Sequence, residues 1–168
     1  MPEKKTMEKA RKDAQEGKAP STQAGEFVRE EMEHVRKGKH GARSTKQAIA
    51  IGLSKARRAG VKLQPPKAGK ASESTRKKAA HDYERGQIRP KGAASPTRSR
   101  AITKALKREG KEAASPRALS RQAHESARSR SAASRHQAAE KAVRTKGKAG
   151  LTAAARKTAH TRSQRRAA

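Results

Sequence analysis

Histidines and neighbouring carboxylates are the residues of this sequence whose types and spacing suggest metal chemistry. Glu30 and His34 stand four residues apart, which would place both on one face of a helix. A zinc site needs three or four ligands, and the sequence has neither an HExxH motif nor a second cluster of ligand residues. We therefore predict no metal site and no cofactor, with the 6 histidines as solvated side chains.

Motifs for nucleophilic catalysis and for phosphate loops are also missing. Asp13 and Asp82 are the only aspartates, and neither belongs to a nucleophile motif of the Ser-His-Asp type. The glycine-rich fingerprints of nucleotide-binding loops do not occur either. The loop from Gly38 to Arg43 offers at most a cationic nest for one phosphate, and a plain flexible loop is the alternative. We predict that the protein has no catalytic residues and is not an enzyme.

Positive charge is the strongest chemical signal. The 168 residues include 44 Lys and Arg against 15 Asp and Glu, a formal net charge of +29. That excess matches the phosphates of roughly 15 base pairs of duplex, so a nucleic acid is the predicted partner. The predicted phosphate-binding residues are Arg43, Lys46, Lys55, Arg57, Arg58, Arg98, Arg100, Lys104, Lys107, Arg108, Arg117, Arg121, Arg128 and Arg130.

The aromatic residues distinguish between kinds of nucleic acid. Phe27 and Tyr83 are the only Phe, Trp or Tyr residues, too few to stack the splayed bases of a single strand. Duplex DNA, bound through its backbone with little base readout, is therefore the predicted partner. RNA or ribosome association is the alternative, because Ser126 to Ser131 is similar to Arg/Ser-rich RNA-binding tails.

Apolar residues limit how much of the chain can fold around a core. Leu, Ile, Val and Phe total 14 of the 168 residues. A highly charged chain in which these residues make up less than about 20% is expected to be disordered. Half of the larger apolar residues fall between Ser21 and Gln64, and Pro65-Pro66 follows. We predict a mostly α protein with extensive disorder: a flexible arm over 1–20, a helical hairpin over 21–64, and a disordered or partly helical cationic tail over 65–168.

Two helices are expected in the hairpin. Val28, Met32 and Val35 recur at helical spacing, and Gly38 is placed to end that helix. A second helix over about 44–59 begins at a capping box, with Gly60 as its left-handed stop. Its Ala48-Gly52-Ala56 arc should pack, whereas Lys46, Arg57 and Arg58 should form a cationic face. Two short helices rarely stand alone, so we expect either a homodimer through the hairpin or folding induced by a partner.

Weak repeats occur in the tail. Ala93-Ala94-Ser95-Pro96, Ala113-Ala114-Ser115-Pro116 and Ala132-Ala133-Ser134-Arg135 follow one another at spacings of about 20 residues. Each suits a helix start, and Ser134 with Gln137 would form a capping box. We expect nascent helices here that become firm when phosphates screen the charge. Ser95 to Arg98 also fits the Ser-Pro-x-Lys/Arg turns of linker-histone tails, with a helix cap as the alternative.

The stretch from His40 to Gly60, together with Gly25 to Met32, resembles a known family. It is similar to small, very basic, functionally uncharacterised bacterial proteins with a KQAIAIxLSxAR helix, which stands here at Lys46 to Arg57. Members are often labelled DNA-binding or histone-like, and the tail resembles linker-histone tails in composition. The resemblance implies a bacterial cytoplasmic origin and transfers no functional residues. Together with the charge, it favours a nucleoid-associated, histone-like protein.

A third hypothesis is an adaptor, in which an acidic first helix docks a protein partner while the tail holds nucleic acid. Its acidic residues would be Glu26, Glu30, Glu31 and Glu33. We predict no membrane association, since uncharged stretches reach only about eight residues and a bilayer span needs roughly 20.

Overall fold

Helices dominate the computed structural model, which describes residues 2–88 and 95–167, with the backbone alone for 165–167. The chain divides into two compact units, Met1–Gln122 (the first unit) and Ala123–Ala168 (the second unit). The α-helices of the described residues are α1 (Lys4–Gln15), α2 (Pro20–Arg36), α3 (Thr45–Arg58), α4 (Glu73–Gln87), α5 (Pro96–Lys107), α6 (Pro116–Arg128) and α7 (Ala132–Ala167). A 3₁₀ turn, Glu112–Ala114, precedes α6.

The two helices predicted for the hairpin are present as α2 and α3. Gly38, with a φ of 71°, follows the end of α2, a conformation that residues with a Cβ rarely adopt. Ser44 caps α3 by accepting a hydrogen bond from the Gln47 amide at 3.2 Å. The Gln47 side chain accepts from the Arg43 amide at 2.7 Å, and Gly60, with a φ of 93°, follows the helix. Local capping thus sets both helices.

Small residues let α2 and α3 approach closely. Ala48, Gly52 and Ala56 are buried, as the α3 arc predicts. A Cβ added to Gly52 would lie 2.7 Å from the backbone Cα of Val28, a contact that has no flexible atom to move away. The interface between these helices therefore depends on a glycine at this position.

Two hydrophobic clusters lie on either side of this interface. The first is built from buried Met32, Val35, Ala42, Ala48, Ala113 and Ala114, with Val28, Ile49 and Leu119 partly buried against it. The second is built from buried Ala10, Ala24, Phe27, Ala56 and Val61, with Met7, Leu53, Ala59 and Leu63 against it. Both include residues from outside 21–64, so the core recruits α1 and the 3₁₀ turn.

The prediction of extensive disorder is wrong, because the chain is 76% helical. One reason is that residues 106–119 fold back onto the hairpin. The Gly41 and Ala42 amides donate to the Leu106 and Gly110 carbonyls at 2.9 and 3.1 Å. Thr45 donates its hydroxyl to the Ala113 carbonyl at 2.6 Å. Backbone hydrogen bonds and buried alanines produce no hydrophobic periodicity in the sequence. The sequence therefore contained no sign that residues 106–119 pack against a core.

A second reason is local helix propensity. Along α7, no residue between 132 and 164 is buried, yet the segment is helical. Alanines and long straight side chains cost little entropy in a helix, and Ser131 caps it by accepting from the Ser134 amide at 3.2 Å. The predicted cap at Ser134 is thus displaced by three residues. Gly147, with φ 66° and ψ 171°, interrupts the helix.

The Ser-Pro sites both begin helices. Ser95 accepts from the Arg98 amide at 3.5 Å, and Ser115 accepts from the Ala118 amide at 3.2 Å. Each proline occupies the first helical position, where its missing N–H is not needed. The helix-cap alternative therefore holds at both, while Ala93 and Ala94 lie outside the described residues. In the described ranges, no helix is long and apolar enough to cross a bilayer.

Gly52→Ala should destabilise the first unit by about 1–3 kcal/mol, because the added methyl group meets helix backbone. Gly25→Ala is the matched control, since nothing lies within 4 Å of a Cβ at this exposed position of α2. The control should gain about 0.4–1 kcal/mol from reduced freedom of the unfolded chain. Urea denaturation followed by circular dichroism measures both. Equal effects of the two substitutions would contradict the close contact.

Candidate functional site

Twelve of the fourteen predicted phosphate-binding residues are exposed. They comprise Arg43, Lys46, Arg58, Arg98, Arg100, Lys104, Lys107, Arg108, Arg117, Arg121, Arg128 and Arg130. Lys55 is half-buried and Arg57 is buried. Exposure alone makes the twelve accessible to a polyanion, whereas their carboxylate neighbours determine how strongly each attracts one.

Arg57 has a structural role. Its guanidinium Nε donates to the Leu63 carbonyl at 3.1 Å, and Nη2 donates to the Gln64 carbonyl at 3.4 Å. Burial lowers the pKa of this side chain below its ordinary value. The predicted cationic face of α3 therefore lacks Arg57, whose guanidinium instead holds the chain that leaves the hairpin.

Carboxylates also neutralise exposed bases of the first unit. Arg58 Nε lies 3.7 Å from an Asp82 oxygen, and Arg43 Nε lies 3.8 Å from a Glu109 oxygen. Thirteen of the 15 Asp and Glu residues precede residue 123, so the first unit contains most of the internal partners. Bases that are paired in this way must exchange an intramolecular ion pair for a phosphate contact.

Helix α5 presents positive charge at the surface of the first unit. Arg100, Lys104 and Lys107 recur at i, i+4 and i+7, so they share one face, at intervals of about 6 and 4.5 Å along the axis. All three are exposed, and the helix sequence has no Asp or Glu. This stripe can contact successive phosphates of one strand.

The second unit is cationic throughout. Residues 123–168 contain twelve Lys and Arg but only Glu125 and Glu140, so most of the bases cannot have a carboxylate partner there. The bases of α7 whose side chains are described are all exposed: Arg135, Lys141, Arg144, Lys146, Lys148, Arg156, Lys157 and Arg162. They were not among the predicted phosphate-binding residues, although their number and the scarcity of acidic residues around them could have indicated them.

The Gly38–Arg43 loop, for which the sequence left open either a phosphate nest or a plain flexible loop, uses its central amides internally. Its Gly41 and Ala42 amides already donate to carbonyls of residues 106 and 110. A phosphate would have to displace two backbone hydrogen bonds. The loop instead anchors the segment that precedes α6.

A cluster of buried charges lies between α2, α3 and the loop that follows α2. The side chains of Glu30 and Glu31 are 3% and 0% exposed, and Lys55 Nζ lies 2.5 Å from Glu31 Oε2. Glu30 Oε2 accepts the backbone amide of Glu3 at 3.1 Å. The other oxygen of each carboxylate has no hydrogen-bond partner among the described residues. Buried carboxylates are costly unless they are compensated, so Lys55 is essential to this arrangement.

Two histidines complete the cluster. His34 Nε2 lies 2.9 Å from a Glu3 carboxylate oxygen, and His40 Nε2 lies 3.3 Å from Glu31 Oε1. The imidazole rings meet edge to face, with centroids 5.9 Å apart. Hydrogen bonds from Lys39 and His34 lower the pKa of Glu3 to about 2, so this carboxylate is ionised at neutral pH.

The sequence indicated one pair of this cluster, Glu30 with His34. Their side chains do lie together, with Glu30 Oε1 3.9 Å from His34 Nε2. The more closely associated residues, Glu31, His40 and Lys55, come from the next position on α2, from the loop and from α3. The cluster could have been found from the spacing of Glu31 and His34, three residues apart, together with the histidine that follows the helix-ending glycine.

The acidic residues assigned to a docking helix are divided between interior and surface. Glu30 and Glu31 are buried in the cluster, whereas Glu26 pairs with Arg29 at 3.6 Å and Glu33 with Lys37 at 3.5 Å. The first two are therefore not part of an exposed acidic face of α2.

Comparison with known proteins gives one match. The model of a family of unknown function, DUF6496, matches residues 20–68, less than a third of the chain. The matched segment contains α2 and α3, and with them every residue of the buried cluster except Glu3. No curated protein and no solved structure matches the chain. The histone-like resemblance stays a prediction.

Lys55→Met should destabilise the first unit by about 3–5 kcal/mol, because it leaves a buried carboxylate without its counterion. Lys37→Met is the control: Lys37 pairs with Glu33 at 3.5 Å, both side chains are more than half exposed, and its loss should cost at most about 1 kcal/mol. Adding Glu31→Gln to Lys55→Met should recover part of the loss, since the uncompensated charge is removed. Urea titration measures the three; identical losses for Lys55→Met and Lys37→Met would refute the buried pair.

Proposed function

We propose that this protein binds duplex DNA with little sequence preference, by neutralising phosphates with the exposed bases of α5 and of the second unit. The observation that supports this most is the composition of residues 123–168, where twelve bases face two acids. Such an excess is not needed for solubility and repels itself until a polyanion binds. Those bases whose side chains the structure describes are all exposed.

Release of counterions would supply the affinity. Each phosphate neutralised by Lys or Arg frees condensed cations, a contribution that does not depend on the base sequence. The basic side chains of α5 and α7 alternate with Ala, Thr and Ser, so amide groups suited to reading base edges are scarce. The proposed mode of binding is therefore backbone contact with positioning but little specificity.

The two aromatic residues support a duplex over a single strand. Phe27 is 1% exposed within the second hydrophobic cluster, and the Tyr83 hydroxyl accepts from Gln64 Nε2 at 3.1 Å. Neither is arranged as a stacking platform. Association with the nucleoid in the bacterial cytoplasm follows as part of this proposal, and a homodimer through the hairpin stays a prediction.

Affinity for a random-sequence duplex should fall by roughly 10³–10⁵ between 50 and 200 mM salt if six to ten phosphates are engaged. Fluorescence anisotropy with labelled duplexes of two unrelated sequences gives both the salt slope and the sequence preference. A flat salt response, or strong preference for one duplex, contradicts the proposal. Competition by structured RNA at equal or lower concentration would favour the RNA alternative.

Replacing Arg135, Lys141, Arg144 and Lys148 of α7 by Gln should lower the salt slope by about 3–4, since each phosphate contact contributes about 0.9. The matched control replaces Lys9, Lys12, Arg29 and Lys37, which lie 3.5–3.9 Å from carboxylate oxygens, and removes the same total charge. Its slope should change by less than about 1. Equal effects of the two sets of substitutions would mean that binding depends on the net charge of the chain and not on the bases of α7.

A further inference from the structure

We propose that Glu31, His34 and His40 form a binding site for one divalent transition-metal ion of the zinc class. One potential ligand atom from each residue lies within 4.8 Å of the others. Ligands around a tetrahedral zinc stand roughly 3.4 Å apart, given bonds of about 2.1 Å. Because His40 Nε2 and Glu31 Oε1 already lie 3.3 Å apart, the movement needed, at most about 1.4 Å, falls on the contacts of His34. A water molecule would be the fourth ligand.

The hydrogen bond of His40 determines which of its nitrogens can bind a metal. Nδ1 lies 3.1 Å from the Gly41 carbonyl oxygen, and because a carbonyl only accepts, Nδ1 must carry the proton. In the neutral ring Nε2 then has a lone pair, and it faces Glu31 Oε1 at 3.3 Å. Two lone pairs this close repel each other unless a proton or a metal ion lies between them.

Glu31 supplies the independent indication of a ligand. Its side chain is fully buried, and Oε1 has no hydrogen-bond partner in the described part of the chain, whereas Oε2 is held by Lys55. A buried carboxylate oxygen without a donor carries a free-energy penalty that a metal ion would remove. Lys55 thereby orients Glu31 so that a single oxygen is presented to the histidines.

His34 has the outer support that metal-binding histidines usually have. The ionised Glu3 carboxylate only accepts, so His34 Nε2 donates to it at 2.9 Å and the lone pair of the neutral ring is on Nδ1. Each ring thus has one N–H anchored, His34 to a carboxylate and His40 to a backbone carbonyl. Such anchoring fixes the tautomer and the orientation of each ring.

The local charge also favours a cation. With neutral histidines, the carboxylates of Glu3, Glu30 and Glu31 outnumber the ammonium groups of Lys39 and Lys55 by one. Glu30 Oε1 is a second buried oxygen without a donor among the described residues. Two imidazoles with one carboxylate select zinc-like ions over Mg²⁺ or Ca²⁺, which prefer oxygen ligands only.

The end of α2 and the turn that follows it bring the three ligand residues together. Glu31 and His34 are separated by one helical turn near the end of α2, so they share a face. Gly38, in its left-handed conformation, reverses the chain and returns His40 to the same face. This site uses residues of the first unit alone and does not depend on the proposed function.

The test is a Zn²⁺ titration of the tag-free full chain by calorimetry, without nucleic acid and in a non-chelating buffer. We expect saturation at one ion per chain, together with a rise in the thermal transition temperature. Co²⁺ in place of Zn²⁺ should produce the visible absorption of a four-coordinate site. Weak binding without defined stoichiometry, or no binding, would overturn the proposal.

His34→Gln and His40→Gln should each weaken Zn²⁺ binding at least 10-fold. His81→Gln and His124→Gln are matched controls, because both histidines are exposed and lie outside the cluster, and they should leave affinity unchanged. Circular dichroism checks that the variants remain helical. If either cluster variant unfolds, the site is tested instead by the imidazole NMR shifts of the unmodified chain on adding Zn²⁺. Shifts confined to His34 and His40 support the site, whereas shifts at the exposed histidines, or a persistently doubly protonated His40 without Zn²⁺ uptake, refute it.

Discussion

The approach of α2 and α3 at Gly52 is the contact on which the rest of the first unit depends. A chain with 14 Leu, Ile, Val and Phe residues cannot fill a wide gap between helices, so it brings backbones together through Gly52, Ala48 and Ala56. Close approach also brings Lys55 of α3 to the buried Glu31 of α2. Both hydrophobic clusters and the ionic cluster are consequences of the same short interhelical distance.

Acids and bases are distributed unequally along the chain. Charges of the first unit mainly support the fold, whereas those of the second unit are the ones proposed to bind DNA. In the first unit, carboxylates neutralise bases at the surface and Lys55 inside, so charge contributes to the fold there. Residues 123–168 have two acids for twelve bases, and α7 is helical with no buried residue between 132 and 164. Helix propensity and the Ser131 cap maintain this helix without buried contacts, so its bases are not needed for packing. Because self-repulsion among bases opposes the helix, a polyanion should stabilise it.

Sequence reasoning predicted features that depend on neighbours in the chain. The Ser44 cap, the stops at Gly38 and Gly60 and the buried α3 arc all follow from spacing within one helix. It was wrong about disorder, because it counted large apolar residues and therefore missed a core of alanines and backbone hydrogen bonds. Arg57 shows the same limit at the site: a helical wheel places it with the bases, but the carbonyls that it meets belong to a later segment. Such long-range partners leave no periodic signal.

The buried cluster was missed for the same reason: its members come from α2, α3, the loop after α2 and the segment before α1, and the sequence revealed only the regular spacing of Glu30 and His34. Metal ligands, however, restrict the conformation of the residues that hold them. A cation between Glu31 and His40 would link α2 to the loop that also donates hydrogen bonds to Leu106 and Gly110. Ion binding there would stabilise the docking of residues 106–119 on the hairpin, and with it the start of α6. Occupancy of a small buried site could thus strengthen a segment tens of residues away in sequence, without any direct contact between the ion and the exposed bases.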